Sequence, residues 1–291
     1  MIENNDYFGD IGMALSCSFF LKGALEEYKD HIYHVDDDMV CFIYEWNKVL
    51  FDLARDSKYK HVVGEIGYNL LKFSSLRKNF AQQCIKDAPD IAVQSLHYAL
   101  RFDESVRFLK TKYSCDKNLR FVDLGCGLSP LVAVFQMKYN SDDVYCIDII
   151  PEISDLYTNV SYQLCGKIPS FIDWGLAQKM AAKGDLNAIV SVGCLPHMPI
   201  QAQKEYMKII NEKFDNFFVE IKYNHRDNIP DSANAFNVPE LQSFVDDVKN
   251  ISDIKTVAYR NSFKYISKFL HAKPNRRDFL INQSRSLFLS R

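Results

Sequence analysis

The sequence predicts an α/β protein in which a mostly parallel sheet follows an all-helical N-terminal domain. Two observations support this fold class. From about residue 120 onward, short apolar runs alternate with stretches of helical periodicity. Before about residue 120 the chain shows helical periodicity without strand-like alternation of apolar and polar residues. Strands that alternate with helices form crossover units, so they build a parallel sheet that helices cover on both faces.

Helical segments fill the first part of the chain. In one of them Val40, Ile43 and Leu50 recur near helical spacing, with charged residues between them. We therefore predict a helical domain over residues 1–113 and an α/β domain over residues 114–291. The predicted helices of the first domain span residues 12–28, 39–55, 68–86 and 91–112.

The first apolar run of the second domain ends in a turn that carries two glycines. Residues 121–130 read FVDLGCGLSP, with Asp123 before the turn and Gly125 and Gly127 within it. Glycine lets the backbone pass close to a ligand where a Cβ would collide. The third glycine of the dinucleotide-binding fingerprint has no counterpart at residues 129 and 130. An acidic residue beside the turn suits a ligand with an ammonium group better than one with phosphates.

Four more apolar runs follow in order. Asp148 ends the second run about 20 to 25 residues after the first, where a Rossmann-like unit places a carboxylate on ribose hydroxyls. The alternative interpretation is an α/β domain that binds no cofactor, in which these acids cap helices and the glycines only turn the chain. The runs span residues 144–148, 170–174, 188–192 and 217–223, and the helical stretches span residues 131–138, 154–164, 176–182, 201–213 and 238–249.

The D-x-G-x-G pattern of residues 123–127 resembles the first motif of the class I S-adenosylmethionine-dependent methyltransferases. The resemblance covers about residues 120–270. It implies a Rossmann-like, mostly parallel seven-stranded sheet with an antiparallel last strand, for which residues 254–259 and 263–270 form the closing antiparallel pair. It also implies S-adenosyl-L-methionine as the cofactor. The implied cofactor-binding residues are Asp123, Gly125, Cys126, Gly127, Asp148, Ile149, Asp173, Trp174, Ser191 and Val192.

The resemblance also implies roles for residues at the later strands. In the family, an acid at the place of Asp173 contacts the adenine amine, and a neighbour such as Trp174 covers the ring. The loop after the fourth strand passes under the transferred methyl group, and His197 lies there. Because its ordinary pKa is near 6.5, a neutral His197 can accept a proton from a hydroxyl acceptor; its alternative role is packing within the loop. Secondary candidates are Glu220, Tyr223, His225 and Arg226.

The expected acceptor is the hydroxyl or amine of a small molecule or saccharide. The chain carries a net charge of only −2 and no recognisable nucleic-acid-binding module. We expect the helical domain to close over the methyl-transfer site, with aromatic residues such as those of residues 42–46 lining the acceptor pocket or buried in the helical core. A third hypothesis is a non-catalytic cofactor-binding protein that kept the fold.

The glycine turn also supports an alternative acceptor. Its sequence CGLSPL resembles the CGLNPL-type loop of the small-subunit ribosomal RNA methyltransferases that confer aminoglycoside resistance, with Ser129 in place of Asn. An RNA acceptor is possible through a basic C-terminal segment, residues 255–291, whose one acidic residue is Asp278. In the alternative interpretation, the segment is a solvated strand face and a tail that folds over the acidic body of the protein. Its cations are Lys255, Arg260, Lys264, Lys268, Lys273, Arg276, Arg277, Arg285 and Arg291.

Other features exclude several classes of site. The eight cysteines include no C-x-x-C pair, which argues against a disulfide framework or a zinc site. His31, His34 and the acids at residues 36–38 are interpreted as an exposed acidic cluster rather than a metal site. No apolar stretch approaches the roughly 18 residues that span a bilayer. We therefore expect a cytoplasmic protein without a bound metal or membrane contact, and the sequence indicates no oligomeric state.

Overall fold

The computed structural model describes residues 34–55, 58–59, 62, 89–223, 243, 253–257 and 285–291. In the N-terminal part, helix α1 spans Asp37–Leu53 and helix α2 spans Pro89–Cys115. They confirm the helices predicted over residues 39–55 and 91–112. The helices predicted over residues 12–28 and 68–86 lie outside the described residues.

Helix α1 begins at an aspartate cap. The Asp36 carboxylate accepts the backbone N–H of Met39 at 3.1 Å, which satisfies one of the donors that a helix leaves open at its start. The negative charges of Asp37 and Asp38 in the first turn interact favourably with the positive end of the helix dipole. The helix buries the side chains of Met39, Ile43, Trp46, Leu50 and Ala54.

Strands and helices alternate from β1 onward, as predicted. The strands are β1 (Phe121–Leu124), β2 (Val144–Ile147), β3 (Ser170–Phe171), β4 (Ala188–Ser191) and β5 (Asn216–Tyr223). The helices are α3 (Leu131–Tyr139), α4 (Pro151–Cys165), α5 (Trp174–Ala182) and α6 (Ile200–Lys213). A short 3-10 helix, Leu195–His197, precedes α6. Of the helix predicted over residues 238–249, the structure describes only Ser243.

The strands form a sheet in the order β3-β2-β1-β4-β5-β7-β6, in which β6 is Asp253–Val257 and β7 is Arg285–Ser290. Strands β1, β4 and β5 pair in parallel, so that Ile189 lies between Val122 and Phe217. Strand β7 is antiparallel to both β5 and β6. The predicted mostly parallel sheet with an antiparallel last strand is therefore confirmed.

The closing strand lies elsewhere than predicted. Strand β6 overlaps the predicted run over residues 254–259, but its antiparallel partner is Arg285–Ser290. The run over residues 263–270 that was predicted for this role lies outside the described residues. Arg285 and Arg291 place strand β7 in a part of the basic C-terminal segment for which no strand is predicted. Leu289 of this strand is fully buried.

The chain divides into two compact units. The first comprises Met1–Thr111, Gly127–Val144 and Asp148–Phe171, and the second comprises Lys112–Cys126, Tyr145–Ile147 and Ile172–Arg291. Within the first unit, helices α3 and α4 pack with α1. The predicted division into residues 1–113 and 114–291 stays a prediction.

The second unit has its own apolar core. Helices α5 and α6 pack their apolar faces against β1, β4 and β5, and burial of each large aliphatic or aromatic side chain contributes about 1.5 to 3 kcal/mol. This packing fixes the carboxyl ends of the strands, from which the loops emerge. Core residues include Val122, Ala177, Ile189, Met207, Ile210, Phe217 and Leu289.

Candidate functional site

The chain turns sharply after β1. Gly125 and Gly127 have φ angles of 71° and 52°, in the left-handed region that favours glycine. The backbone N–H groups of Gly125 and Cys126 donate to the carbonyl of Ile147 at 2.8 and 3.1 Å. These bonds tie the turn to the end of β2. We call residues 125–130, between β1 and α3, the glycine loop.

The two glycines serve different purposes. A Cβ on Gly125 would lie 2.4 Å from both the Cβ and the Sγ of Cys194, so the position has no room for a side chain. Around Gly127, apart from the glycine itself and its two chain neighbours, no atom of the described residues lies within 4 Å of the place a Cβ would take. Gly125 therefore allows the loop after β4 to pack on the glycine loop, whereas Gly127 leaves open space beside the backbone.

Asp148 holds the second half of the glycine loop. Its Oδ2 accepts the N–H of Gly127 at 3.0 Å, and its Oδ1 accepts the N–H of Ile150 at 3.0 Å. Burial raises the pKa of the Asp148 carboxyl above its usual value, although hydrogen bonds from the backbone N–H groups of Ile150, Gly127 and Ile149 oppose this effect. A carboxylate offers about four acceptor positions, so Asp148 can accept further donors such as hydroxyls.

Ile149 directly follows this carboxylate. Its side chain is 83% exposed, more than those of the other large apolar residues in the described part of the chain. Asp148 and Ile149 thus place an acceptor group and an uncovered apolar surface at consecutive positions after β2. Such a pair can bind a ligand that has both hydroxyls and a flat ring.

Asp123 and Cys126 lie within the protein. Asp123 belongs to β1, opposite Val190 of β4, and is 4% exposed. Cys126 is 3% exposed. Both residues lie in the second unit, on the segment that leads into Gly127.

Asp173 and Trp174 have structural partners of their own. Asp173 is the N-cap of α5, and its carboxylate accepts the N–H of Leu176 at 2.8 Å. The indole of Trp174 stacks on Tyr206 and Phe214, with ring centroids 4.9 and 6.4 Å apart. The aspartate therefore caps a helix, and the tryptophan packs against α6 within the second unit.

The loop after β4 is anchored at two points. The hydroxyl of Ser191 is buried and donates to the carbonyl of Leu124 at 3.1 Å, which links the ends of β4 and β1. Val192 follows, and the N–H of Gly193 donates to the carboxylate of Glu220 at 2.9 Å. Glu220 lies in β5 and is fully buried. Glu220 is one of the predicted secondary catalytic candidates, and its bond to Gly193 has no signal in the sequence.

The predicted base, His197, ends the 3-10 helix after this loop. The structure describes its backbone position, while its ring is outside the described part. Tyr223 ends β5, and its side chain is likewise outside that part. His225 and Arg226 lie outside the described residues.

Trp46 is a contact of the glycine loop that the sequence analysis did not identify. Its indole N–H donates to the carbonyl of Leu128 at 3.1 Å, and its ring packs edge-on against Tyr157 with a centroid distance of 4.8 Å. Trp46 is fully buried, so it has the core position that was one of the two expectations for residues 42–46. A tryptophan on the apolar face of a helix gives no sequence signal for a bond to a distant carbonyl.

The carboxylate of Asp36 has ionic partners within the first unit. Asp36 pairs with Lys110 at 3.2 Å and with Lys138. Across the described residues, no group of three or more His, Cys, Asp or Glu could hold a metal ion. None of the helices in the described ranges has the length and apolar character required to cross a bilayer.

Arg291 shows what one cation of the basic C-terminal segment does. Its guanidinium donates to the carbonyls of Asp215 at 3.2 Å, of Asn211 at 3.0 Å and of Phe214. It also lies over the ring of Phe217, 5.1 Å from the centroid. This residue therefore binds the protein's own α6 and β5. Arg276 and Arg277 lie outside the described residues.

No family model matches the sequence, and no curated protein matches it. The structure is similar to that of geranyl diphosphate C-methyltransferase from Streptomyces coelicolor A3(2), solved with Mg²⁺, geranyl diphosphate and S-adenosyl-L-homocysteine. The TM-score is 0.50 at 11% identity, over 74% of this chain and 82% of that chain. The chain has the class I methyltransferase fold. Magnesium protoporphyrin IX methyltransferase from Synechocystis PCC 6803, with bound S-adenosylmethionine, gives a TM-score of 0.47 at 15% identity, over 84% and 97% of the two chains.

This fold agrees with the resemblance of residues 123–127 to the first methyltransferase motif. In the class I methyltransferase fold of this chain, the glycine loop follows the first strand and Asp148 follows the second. A fold hosts many activities, so the activity must be argued from the loop and the carboxylate themselves.

Proposed function

We propose that the protein is an S-adenosylmethionine-dependent methyltransferase that acts on a hydroxyl or amine of a small molecule or saccharide. The observation that carries this proposal is the pairing of Gly127 with Asp148 at 3.0 Å. This pair suits a nucleoside. At Gly127 no side chain keeps the backbone away from the ligand, and the half-buried carboxylate of Asp148 can accept hydrogen bonds from the two ribose hydroxyls.

Three residues of the first unit fit the nucleoside part of the cofactor. Gly127 has open space where a Cβ would be, and Asp148 retains acceptor positions beyond its two backbone donors. Ile149 offers an exposed apolar surface to a ring. We assign the ribose hydroxyls to Asp148 and a face of the adenine to Ile149. The cofactor, when bound, supplies a methyl group on a positively charged sulfonium.

The remaining predicted cofactor residues are proposals that rest on their places in the chain. They lie at or directly after the ends of β1 and β4, or at the start of α5 with its N-cap. Carboxyl ends of parallel strands are where ligands bind in open α/β sheets. The Asp173 carboxylate retains acceptor positions beside its cap bond to Leu176. These residues are Asp123, Gly125, Cys126, Asp173, Trp174, Ser191 and Val192.

For a hydroxyl acceptor, we propose His197 as the base. A neutral imidazole has a nitrogen that can take the proton as the acceptor oxygen attacks the methyl carbon. The support for this role is the place of His197 at the end of the loop that Glu220 anchors at Gly193. Alignment of the acceptor with the methyl group contributes the larger part of the rate in such a displacement.

The acceptor class is tested with a methyl-labelled cofactor. The purified protein is incubated with that cofactor and, separately, with a small-molecule extract and with small ribosomal subunits. The proposal predicts label in the small-molecule fraction alone. Label in ribosomal RNA would establish the RNA alternative, and label in neither fraction despite cofactor binding would support a non-catalytic cofactor-binding protein.

A further inference from the structure

The glycine loop is held from the N-terminal side by Trp46. The indole N–H of Trp46 donates to the carbonyl of Leu128 at 3.1 Å, across a sequence separation of 82 residues. Leu128 directly follows Gly127, and both Trp46 and Leu128 are fully buried. The two residues belong to the same compact unit.

The dipeptide Gly127-Leu128 is therefore fixed at both ends. The N–H of Gly127 donates to Asp148, and the carbonyl of Leu128 accepts from Trp46. The first bond involves the carboxylate to which we assign the ribose. The second involves helix α1, which contributes no residue to the predicted cofactor set. The loop conformation thus depends on a helix from the first part of the chain.

The indole of Trp46 has a defined position. Its ring packs edge-on against Tyr157 of α4 at an interplanar angle of 66°, and Phe42 lies 6.1 Å away. The hydroxyl of Tyr157 in turn accepts the N–H of Ala133 in α3 at 3.3 Å. Because the Trp46 ring packs against the rings of Tyr157 and Phe42, contacts that do not involve the Tyr157 hydroxyl, its N–H stays aimed at the Leu128 carbonyl. A hydrogen bond in such a buried place is stronger than one in water.

We propose that Trp46 is a positioning residue of the cofactor loop. It sets the conformation of Gly127 and Leu128, and through them the approach of the backbone to the cofactor. The inference rests on the proposed function. It extends the expectation that the N-terminal domain shapes the acceptor side, because α1 then also supports cofactor binding.

The test compares two variants that each remove one buried hydrogen-bond partner from the same core. Trp46→Phe removes the indole N–H and leaves the Leu128 carbonyl without its donor. Tyr157→Phe removes the hydroxyl that accepts from Ala133 and leaves the glycine loop untouched. Calorimetric titration with S-adenosyl-L-homocysteine should show that Trp46→Phe weakens binding by about fivefold or more, because binding must then order a loop that the indole N–H no longer holds. Tyr157→Phe should stay within about twofold of the wild type.

A second readout needs no ligand. Hydrogen exchange of the Gly127 amide, followed by NMR in the unliganded protein, should become faster in Trp46→Phe and remain unchanged in Tyr157→Phe. Replacement of Trp46 by benzothienylalanine keeps the ring size and removes only the N–H, and it serves if Trp46→Phe does not fold. The same changes in binding and exchange are expected for that variant.

Two results would overturn the inference: wild-type affinity and wild-type Gly127 exchange without the indole N–H, or equal losses in Trp46→Phe and Tyr157→Phe. Equal losses would show that Trp46 contributes only to the core. If the wild type does not bind S-adenosyl-L-homocysteine, the proposed function fails, and Gly127 exchange still decides whether Trp46 positions the loop.

Discussion

The carboxylate of Glu220 accepts a hydrogen bond from the backbone N–H of Gly193 at 2.9 Å, although Glu220 lies in β5 and Gly193 follows β4. The carboxylate is fully buried, and Gly193 has a φ angle of 76°. The next residue, Cys194, packs against Gly125. One side chain in β5 therefore fixes the loop that meets the glycine loop within the second unit.

The bond between Glu220 and Gly193 predicts unequal effects of two substitutions. Glu220→Gln keeps an oxygen that can accept from Gly193, whereas Glu220→Leu removes this acceptor from the partly buried N–H. We predict that Glu220→Leu lowers the free energy of unfolding by about 1 to 3 kcal/mol more than Glu220→Gln does. Urea denaturation without cofactor measures the difference. Equal losses in the two variants would contradict the role of this bond.

The two glycines of the loop predict a second contrast. Gly125→Ala introduces a Cβ 2.4 Å from atoms of Cys194, in addition to a strained φ angle. Gly127→Ala introduces only the strained φ angle, because the space beside it is open. We expect Gly127→Ala to cost about 1 to 2 kcal/mol of stability and Gly125→Ala clearly more.

A third variant serves as the control for this contrast. Cys194→Gly removes the Cβ and Sγ that a side chain at position 125 would meet. Combined with Gly125→Ala, it should restore part of the lost stability, so the double variant is less destabilised than the sum of the single changes. Strict additivity in denaturation experiments would show that contact with Cys194 is not the cause.

Much of the fold could be predicted because its signals are local. Short apolar runs predicted β1 to β5, and the stretches of helical periodicity between them predicted helices α3 to α6. The spacing of apolar residues such as Ile43 and Leu50 predicted α1. Strand β7 was missed because pairing with β5 and β6 is a non-local property, and its few apolar residues lie among arginines. Residue composition alone could not distinguish it from a solvated tail.

The candidate site was predictable only in part, for the same reason. The turn at Gly125 and Gly127 and the carboxylate of Asp148 follow from motif and spacing. The donor to Leu128 comes from Trp46, 82 residues away in sequence, and no spacing rule connects them. Asp173 shows the opposite problem, since an acid at the start of a helix has the same pattern whether it caps the helix or binds a ligand.

The ion pairs of Asp36 predict a pH dependence of stability. Burial raises the pKa of Asp36, but hydrogen bonds from Lys138, from the N–H of Met39 and from Lys110 outweigh it and hold the pKa below its usual value of 3.8. A carboxyl group whose pKa is lowered by folding stabilises the protein when the pH is above its unfolded-state pKa. This stabilisation is lost as the pH falls through the folded-state pKa.

We therefore predict that Asp36→Asn lowers the free energy of unfolding at neutral pH by about 0.5 to 1 kcal/mol, a range reduced for partial exposure. Asparagine retains the cap to Met39, so the change isolates the charge. The difference from wild type should shrink as the pH falls below 3.8. Asp37→Asn, an exposed change in the same helix turn, is the control. A difference that does not shrink as the pH falls below 3.8 would contradict the assignment to Asp36.

The basic C-terminal segment distinguishes the acceptor classes. Because we propose a small acceptor, we predict no association with small ribosomal subunits, even at low salt. If the acceptor were RNA, binding would weaken as salt is added. The logarithm of the association constant would fall with the logarithm of the salt concentration, with a slope of about 0.7 to 0.9 per phosphate contacted. Replacement of Arg276 and Arg277 by Ala would then flatten that slope. Filter binding over a salt series measures both outcomes.

The most direct test of the central claim is calorimetric titration of the protein with S-adenosyl-L-methionine, in the wild type and in Asp148→Ala. We predict one site per chain in the wild type and binding weaker by roughly 1 to 3 kcal/mol in the variant, through loss of charge-assisted hydrogen bonds to the ribose. Asp142→Ala, which removes the exposed partner of Lys167, is the matched control and should bind like the wild type. Unchanged affinity in Asp148→Ala, or tight binding of NAD by the wild type, would contradict the account.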